Sequence, residues 1–458
     1  MFPEGFIQRI KSQEYINADS LVHALEKPSP VSIRLNNSKW HKRPLNSEPV
    51  PWCENGYYLS KRPSYTLDPL FHSGCYYPQE ASGMFLEQVY KQMVGRRENI
   101  RILDLCGAPG GKSTHLSSLI GPNGLLVSNE VIRPRASVLT ENISRWGIPN
   151  TMVTRNDPSA FGKLTGFFDV VFVDAPCSGE GMFRDEVARR EWSDKNAILC
   201  QERQKRILMD VWPALKEDGI LVYSTCTFNP DENERNIEWL IEKQKAESMK
   251  LEIGSYNGIS GLDYHGVHGY SFYPDRIRGE GFFLSVIKKK ENSERDRVKP
   301  TKSKILKAAR EDIKITLEWT LFQKGSIVRM GDDIYKLPVS TDEFGYLSHN
   351  LNIILPGTLI CSVRKKDYLP SHDLALSVGL RKEAFPLIQV DYMNAIAYLR
   401  RENIIVPKLP GGWFIAVYNE IPLGFAKNIG NRVNNYYPVN RRIRMDKPFS
   451  GSVELIDW

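Results

Sequence analysis

Short apolar runs alternate with amphipathic stretches from about residue 70 to residue 287, and this alternation sets the expected architecture. Helical spacing is clearest at 134–147 and 200–219, and another helix is expected to start at Gly111. The order of strands and helices predicts βαβ units, and therefore an α/β fold with a doubly wound sheet. GFFLSVI (281–287) is expected to add an antiparallel strand at the edge. The other expected strands are IRILDL (100–105), GLLVSN (124–129), TMVTRN (151–156), FDVVFVD (168–174) and GILVYS (219–224).

The two flanking regions have different patterns. The first 65 residues begin with apolar residues at helical spacing and continue into the strand-like VSIRLNN (31–37). After about residue 311, short β-like runs predominate, with a hairpin expected in GGWFIAVYNEIPLGFAKNIG (411–430). The expected domains are a small α+β domain (1–68), the α/β domain (69–290), a basic linker (291–310), a small β-rich domain (311–385) and a second β-rich domain (386–458).

Composition changes the picture mainly by exclusion. The chain has 458 residues and seven scattered cysteines without a CxxC pair, so neither a disulfide framework nor a metal site is expected. The sequence lacks an apolar run long enough to span a membrane, and its charged N-terminus is unlike a signal peptide. We therefore expect a cytoplasmic protein without a membrane partner.

The net charge of +7 is concentrated in one segment. Residues 288–310 contain ten Lys or Arg and three acidic residues, so the rest of the chain sums to zero. Such a segment is typical of a solvated linker, and it can also serve as an electrostatic contact for nucleic acid.

The glycine-rich segment DLCGAPGGKS (104–113) lies between an expected strand and an expected helix, a position suited to an anionic or nucleoside ligand. A phosphate-binding Walker loop requires glycine where this chain has Cys106, so an ATPase is disfavoured. In a Rossmann-type site, an acidic residue about 20 positions downstream binds the ribose. Glu130 follows Gly111 by 19 positions, which favours an adenosine-bearing ligand. Asp157, after the third strand, either reaches toward the adenine or is only a turn residue.

Two cysteines and a carboxylate are expected at one sheet edge. Asp174 and Cys177 follow the fourth strand in DAPCSG, and Cys226 follows the fifth in STCT. Open α/β sheets build their sites at these carboxyl ends. A thiolate that adds to carbon 6 of cytosine makes carbon 5 nucleophilic enough to accept a methyl group. Asp174 could stabilise ring nitrogen 3 if its carboxyl is protonated or shares a proton with the base.

Five ordered motifs together resemble those of the RNA (cytosine-5-)methyltransferases of the Fmu/Sun and nucleolar-protein superfamily. The motifs are CGAPGGK, VDAPCSG, YSTCT, YYPQEASGM (76–84) and SIRLNN with Arg34 and Asn36. The resemblance covers about residues 30 to 290 and implies a Rossmann-like domain in which Cys226 attacks the base and Cys177 assists product release. It also implies that S-adenosylmethionine lies against Cys106, Gly107, Ala108, Pro109, Gly110, Gly111, Lys112, Glu130, Arg135, Asp157 and Asp174.

Two further segments are similar to the bacterial RsmF (YebU) type, which methylates 16S ribosomal RNA in the small subunit. They are CSGEGMFR (177–184) and the tail from residue 411 to residue 438. The resemblance implies a PUA-like RNA-binding module at the C-terminus, where Tyr436, Tyr437 and nearby arginines become candidate RNA contacts. A methyltransferase acting on another RNA such as tRNA, or a non-catalytic ribosome assembly factor, remains an alternative.

Overall fold

A computed structural model describes residues 1–95, 97–290, 306–322, 326–405, 411–445 and 453–458. The expected basic linker therefore lies largely outside the described residues. The structure has an N-terminal region, a central α/β domain and a C-terminal region with two small sheets.

The N-terminal region is an α+β unit with a four-stranded antiparallel sheet in the order β2-β3-β1-β4. Helix α2 begins where the Asn17 side chain accepts a hydrogen bond from the Ser20 amide, a common N-terminal cap. The elements are α1 (Glu4–Lys11), α2 (Ala18–Leu25), β1 (Val31–Leu35), β2 (Ser47–Pro49), β3 (Gly56–Leu59), α3 (Pro69–His72) and β4 (Tyr76–Pro78). Strand β4 lies beyond residue 68, so the sheet draws on residues that we assigned to the next domain.

The central domain contains the five expected strands. Its elements are α4 (Leu86–Val89), β5 (Arg101–Asp104), α5 (Gly111–Leu119), β6 (Leu125–Asn129), α6 (Arg133–Trp146), β7 (Thr151–Thr154), β8 (Phe168–Asp174), α7 (Glu186–Glu191), α8 (Asp194–Val211), β9 (Leu215–Thr225), α9 (Glu234–Gln244), β10 (Glu247–Met249), β11 (Ile259–Tyr264), β12 (Val267–Phe272) and β13 (Phe282–Lys288).

The central sheet has a Rossmann-like order. Its five parallel strands run β9-β8-β5-β6-β7, and alternating residues of β8 enter different hydrophobic clusters on the two faces. Val171 and Val173 pack on one face, while Val170 and Phe172 pack on the other. Burial on both faces explains why these strands read as continuous apolar runs in the sequence.

The expected edge position of residues 281–287 is wrong. Strand β13 is antiparallel to β9 as expected, but its other side pairs with β12, and β11 continues the sheet. After the buried Ile259, the residues of β11 alternate between partly buried and exposed, and they include a glycine and an aspartate. A strand of this composition gives no apolar run, which is why the sequence pattern missed it.

The C-terminal region contributes two sheets, in the orders β14-β15-β16-β18-β19 and β20-β21-β22-β23. Its elements are β14 (Leu306–Lys307), α10 (Arg310–Trp319), β15 (Ile327–Met330), β16 (Asp333–Lys336), α11 (Thr341–Asn350), β17 (Ile353–Leu355), β18 (Thr358–Arg364), β19 (Asp367–Pro370), α12 (His372–Leu376), β20 (Leu387–Gln389), α13 (Tyr392–Leu399), β21 (Gly412–Tyr418), β22 (Ile421–Asn428) and β23 (Val433–Asn435). The expected hairpin is β21 and β22, which turn at Asn419 and Glu420.

One segment of this region belongs physically to the central domain. Strand β17 pairs antiparallel with β7 and extends the central sheet. Helix α11 buries Phe344 and Leu347 in the same hydrophobic cluster as Leu103 and Val171 of the sheet. Residues 341–355 therefore complete one side of the α/β domain.

Candidate active site

The glycine-rich loop connects β5 to α5 at the carboxyl edge of the central sheet. The Gly107 amide donates to the Asn129 carbonyl at 2.7 Å, which fixes the loop against the end of β6. A Cβ atom on Gly107 would lie 2.3 Å from Ser128 Oγ and 2.8 Å from Ser113 Oγ. Gly110 has φ of +118°, a conformation that favours glycine. The loop is thus shaped by backbone packing that side chains would obstruct.

A buried carboxylate lies beneath this loop. Asp104 is 0 % exposed, and its Oδ2 accepts a hydrogen bond from Ser113 Oγ at 2.6 Å. Its Oδ1 has no hydrogen-bond partner among the described residues. Burial raises the pKa of the Asp104 carboxyl to about 7. No sequence pattern had assigned Asp104 a role at the site.

Glu130 and Arg135 lie together beside the loop. Glu130 Oε1 accepts from the Ile132 amide at 2.9 Å, and its Oε2 lies 3.4 Å from the Arg135 guanidinium. Arg135 also donates to the Ala108 carbonyl at 3.0 Å. The expected ribose-binding acid and the expected neighbouring arginine are therefore in contact with each other and with the loop.

Asp157 follows β7 and is more exposed than Glu130. Its carboxylate accepts hydrogen bonds from the amide and the hydroxyl of Ser159, at 3.1 and 2.7 Å. The hydrogen bond from the Ser159 hydroxyl contributes most to lowering the pKa of Asp157. Arg206 lies 3.6 Å away. Asp157 therefore caps a turn, and it also lies after the third strand as expected.

Lys112 and Asp174 form an ion pair in the crevice between the glycine-rich loop and the carboxyl ends of β8 and β9. Lys112 Nζ donates to Asp174 Oδ2 at 2.8 Å, and Ser224 Oγ donates to Asp174 Oδ1 at 2.7 Å. Burial lowers the pKa of Lys112, but the negative charge of Asp174 and the Cys226 sulfur raise it by more, so its pKa lies above the usual value. Lys112 thus connects the glycine-rich loop electrostatically to Asp174 at the end of β8 and to Cys226 after β9.

The two expected cysteines lie within contact distance of each other. Cys177 Sγ is 3.2 Å from Cys226 Sγ, and the Cys226 amide donates to Cys177 Sγ at 3.3 Å. The hydrogen bond with Cys226, followed by burial, raises the pKa of the Cys177 thiol well above its usual value. Cys177 therefore holds its proton and can donate a hydrogen bond to its neighbour.

A second buried carboxylate organises the segment after Cys177. Glu232 accepts from the amide and the hydroxyl of Ser178, at 2.9 and 2.5 Å. It also accepts from Gln204 at 3.1 Å and from Asn229 at 3.2 Å. No sequence pattern pointed to Glu232, because Ser178 and Gln204 lie 54 and 28 positions away from it in the chain.

The N-terminal region also contributes to the crevice. Arg34 is fully buried, and it donates to Thr114 Oγ1 at 2.7 Å and to the Gly111 carbonyl at 3.2 Å, at the start of α5. Burial lowers its pKa to about 10, and its guanidinium lies 4.5 Å from the centre of the Trp146 ring. The Arg34 motif therefore fixes the helix that carries the glycine-rich loop.

Three families described from known proteins match this chain in order. Residues 2–81 match the N-terminal domain of 16S rRNA methyltransferase RsmF, residues 91–288 match 16S rRNA methyltransferase RsmB/F, and residues 385–443 match the RsmF PUA domain. Ribosomal RNA small subunit methyltransferase F from Aeromonas salmonicida is 30 % identical over 465 residues, covering 95 % of this chain and 96 % of that protein. This chain belongs to the RsmF family of 16S rRNA methyltransferases. The family resemblance seen in the motifs is confirmed.

A second relative of the same name and two solved structures also resemble this chain. Ribosomal RNA small subunit methyltransferase F from Klebsiella pneumoniae is 29 % identical over 490 residues, covering 99 % of this chain and 98 % of that protein. A solved methyltransferase homologue from Pyrococcus horikoshii is 29 % identical with a TM-score of 0.54, covering 63 % of this chain and 95 % of that chain. NSun6 from the same organism has a TM-score of 0.53 at 20 % identity, covering 64 % of this chain and 99 % of that chain, which supports the fold alone.

The RsmF match also confirms the PUA-like C-terminal module, but one expected RNA contact in it is wrong. Tyr437 is only 2 % exposed and packs against His372 and Tyr398. Tyr436 stays partly exposed, with its ring 4.4 Å from that of Trp413. Adjacent tyrosines on an extended segment point to opposite sides, so one of the two enters the core.

Cys53, Glu87 and His115 of this RsmF-family chain meet in the fold, although the sequence suggested no such cluster. Their donor atoms lie within 4.8 Å of one another. His115 Nε2 is 3.0 Å from Glu87, and Lys91 pairs with the same carboxylate at 2.8 Å. Burial lowers the pKa of His115 to about 4. We interpret the cluster as a hydrogen-bond network in which Lys91 supplies the counter-charge.

The domain boundaries and the site roles given in the sequence analysis stay predictions. Among the residues that the structure describes, there is no helix both long and apolar enough to cross a bilayer.

Proposed function

We propose that this RsmF-family chain methylates carbon 5 of a cytidine in 16S rRNA, with S-adenosylmethionine as donor and Cys226 as covalent nucleophile. The observation that carries the proposal is the contact between Cys177 and Cys226, whose sulfurs lie 3.2 Å apart at the carboxyl ends of adjacent strands. The Lys112 and Asp174 ion pair lies beside the end of the same strand β8. Two adjacent thiols and a neighbouring ion pair suit nucleophilic catalysis on a pyrimidine.

The residues beside the loop fit an adenosine-bearing donor. The Gly107 backbone packs tightly against Ser128, where a Cβ would collide, and Glu130 offers a buried carboxylate at the end of β6. Residues 106–112 would hold S-adenosylmethionine, together with Glu130, Arg135, Asp157 and Asp174. When bound, the cofactor supplies an electrophilic methyl group.

Cys226 performs the covalent step. Its thiolate adds to carbon 6 of the target cytosine, and the electron pair moves to carbon 5, which then takes the methyl group. After a base removes the carbon 5 proton, the bond between Cys226 and carbon 6 breaks and the aromatic ring returns. The neutral thiol of Cys177, in contact with Cys226, stabilises the sulfur as it leaves.

Asp174 and Lys112 act at ring nitrogen 3 of the target cytosine. The Asp174 carboxylate accepts one hydrogen bond from the Lys112 ammonium, which has further N–H groups that can donate to ring nitrogen 3 as negative charge develops there. The target base must leave its stack for a thiol to approach its face.

The first test is methyl transfer from radiolabelled S-adenosylmethionine to small ribosomal subunits, protein-free 16S rRNA and tRNA. We expect label in 5-methylcytidine of 16S rRNA, identified by mass spectrometry of the nucleosides. Label confined to tRNA would overturn the target, label in another nucleoside would overturn the chemistry, and cofactor binding without label would indicate a non-catalytic factor.

The cysteine roles predict opposite phenotypes. Cys226→Ala is expected to abolish transfer, by about 10³-fold or more, while cofactor binding stays near wild type. Cys177→Ala is expected to accumulate a covalent adduct between protein and RNA, visible as a slow band on a denaturing gel. Cys361→Ala, which removes a buried thiol in the C-terminal region, is the matched control. Normal turnover by either crevice variant would contradict its role.

A further inference from the structure

Helix α1 of the N-terminal region packs against the two cysteine segments, which are residues 177–183 and residues 226–228. Phe6 packs on Phe183 with ring centres 4.9 Å apart and on Phe228 at 6.4 Å. Phe183 follows Cys177 by six residues, and Phe228 follows Cys226 by two. One helix therefore contacts the chain just beyond each thiol.

A buried ion pair accompanies this apolar contact. The Arg9 guanidinium pairs with Glu180 Oε1, and the Glu180 side chain is 0 % exposed. The other oxygen of Glu180 accepts from the Phe228 amide at 3.3 Å. Glu180 lies three residues after Cys177, so this single carboxylate connects helix α1, the Cys177 segment and the Cys226 segment.

Two further hydrogen bonds join the same three segments. The Gly181 amide donates to the Cys226 carbonyl at 2.9 Å. Gln13 Nε2, just after helix α1, donates to the Phe228 carbonyl at 3.3 Å. The backbone on either side of Phe228 is thus held by Glu180 and by Gln13, and Cys226 itself is held by the residue after Glu180.

The charge of Arg9 matters because Glu180 is enclosed. Burial raises the pKa of Glu180 to about 7, and the positive charge of Arg9 opposes this rise. A buried carboxylate that loses its counter-ion either takes up a proton or moves toward water, and both changes weaken its hydrogen bond to the Phe228 amide. Small displacements at a reacting pair reduce rates strongly.

We propose that Arg9 and Glu180 are positioning residues that hold the thiols of Cys177 and Cys226 in register for methyl transfer. The N-terminal region then contributes to the chemical step as well as to any contact with RNA. This inference rests on the proposed roles of the two cysteines. The competing interpretation is a docking contact that stabilises the N-terminal region without affecting the thiols.

The test compares Arg9→Met, Arg9→Lys and Glu180→Gln with wild type. We expect kcat for methyl transfer to fall at least 10-fold in Arg9→Met and Glu180→Gln, with KM for RNA and for S-adenosylmethionine within about twofold. Arg9→Lys, which keeps the charge, should recover part of kcat. The matched control is Arg101→Met, which breaks a 2.6 Å ion pair with Glu343 between β5 and α11.

A second readout is independent of RNA chemistry. A trivalent arsenical such as phenylarsine oxide binds two thiols only when they are close, and we expect Arg9→Met to weaken its binding at least tenfold relative to Arg101→Met. Wild-type kcat and arsenical binding in Arg9→Met, with only a lower melting temperature, would overturn the proposal. If wild type binds the arsenical but makes no 5-methylcytidine, the proposed function fails, and the arsenical comparison still decides the positioning role.

Discussion

The glycine-rich loop and the two cysteine segments border the same crevice but are held in different ways. The backbone of the loop packs so closely against the hydroxyl groups of Ser128 and Ser113 that Gly107 has no room for a Cβ. The segments after Cys177 and Cys226 are fixed by backbone amides and side chains that donate to buried carboxylates, with four hydrogen bonds converging on Glu232 alone. We therefore expect the loop to be disturbed by added side-chain atoms, and the cysteine segments to be disturbed by the loss of a hydrogen-bond partner.

The acids beneath the two regions show the same contrast. One oxygen of Asp104, below the loop, lacks a hydrogen-bond partner among the described residues, whereas both oxygens of Glu232 accept hydrogen bonds. Burial raises the pKa of Asp104 to about 7, so this carboxyl is partly protonated near neutral pH. Burial also raises the pKa of Glu232, and the donors around it oppose that rise.

The largest effect is expected from Glu232→Ala. It leaves the four donors around Glu232 without their acceptor, at a cost of about 1 to 3 kcal/mol for each donor that stays buried and unpaired, and frees the segment that carries Cys177. We expect methyl transfer to fall about 100-fold. Glu202→Ala, which removes an exposed carboxylate from α8, is the control and should leave the rate unchanged. Equal rates in the two variants would show that the network does not hold the cysteine segment.

Asp104→Asn is expected to change how stability depends on pH. Because the folded-state pKa of Asp104 is about 7, above its usual value of 3.8, its contribution is present below about pH 4 and is lost as pH rises through 7. Between pH 5 and pH 8 the wild type is therefore expected to lose about 2 to 3 kcal/mol of its free energy of unfolding, and Asp104→Asn is expected to lack this loss. Urea unfolding at both pH values measures it. A variant with the same pH slope as wild type would contradict the assignment.

The smallest effect is expected from Gly107→Ala. The added Cβ collides with Ser128 Oγ, so the loop must shift, at a cost of about 1 to 2 kcal/mol. We expect S-adenosylmethionine affinity, measured by calorimetry, to fall about 10-fold. Adding Ser128→Ala removes the oxygen in the way and should restore part of the affinity. No loss in the single variant would mean that the loop is looser than its contacts indicate.

This contrast also explains what the sequence could predict. The shape of the loop depends on consecutive glycines and the strand before them, so the sequence predicted residues 104–113 as a ligand-binding loop. The apolar runs likewise predicted the five parallel strands. Glu180 and Arg9 are 171 positions apart, and the amphipathic hairpin of β11 and β12 lacks an apolar run. Contacts of this kind arise only from the folded arrangement, and the pattern around Tyr437 likewise could not distinguish a core ring from a surface one.

Strand β17 has a consequence for work with isolated fragments. A fragment ending near residue 290 would leave the open edge of β7 and the apolar surface that α11 covers in contact with water. Unpaired strand edges beside apolar surface promote self-association. A soluble catalytic fragment of this protein should therefore retain residues 341–355, even though they follow the α/β domain by some fifty positions in the chain.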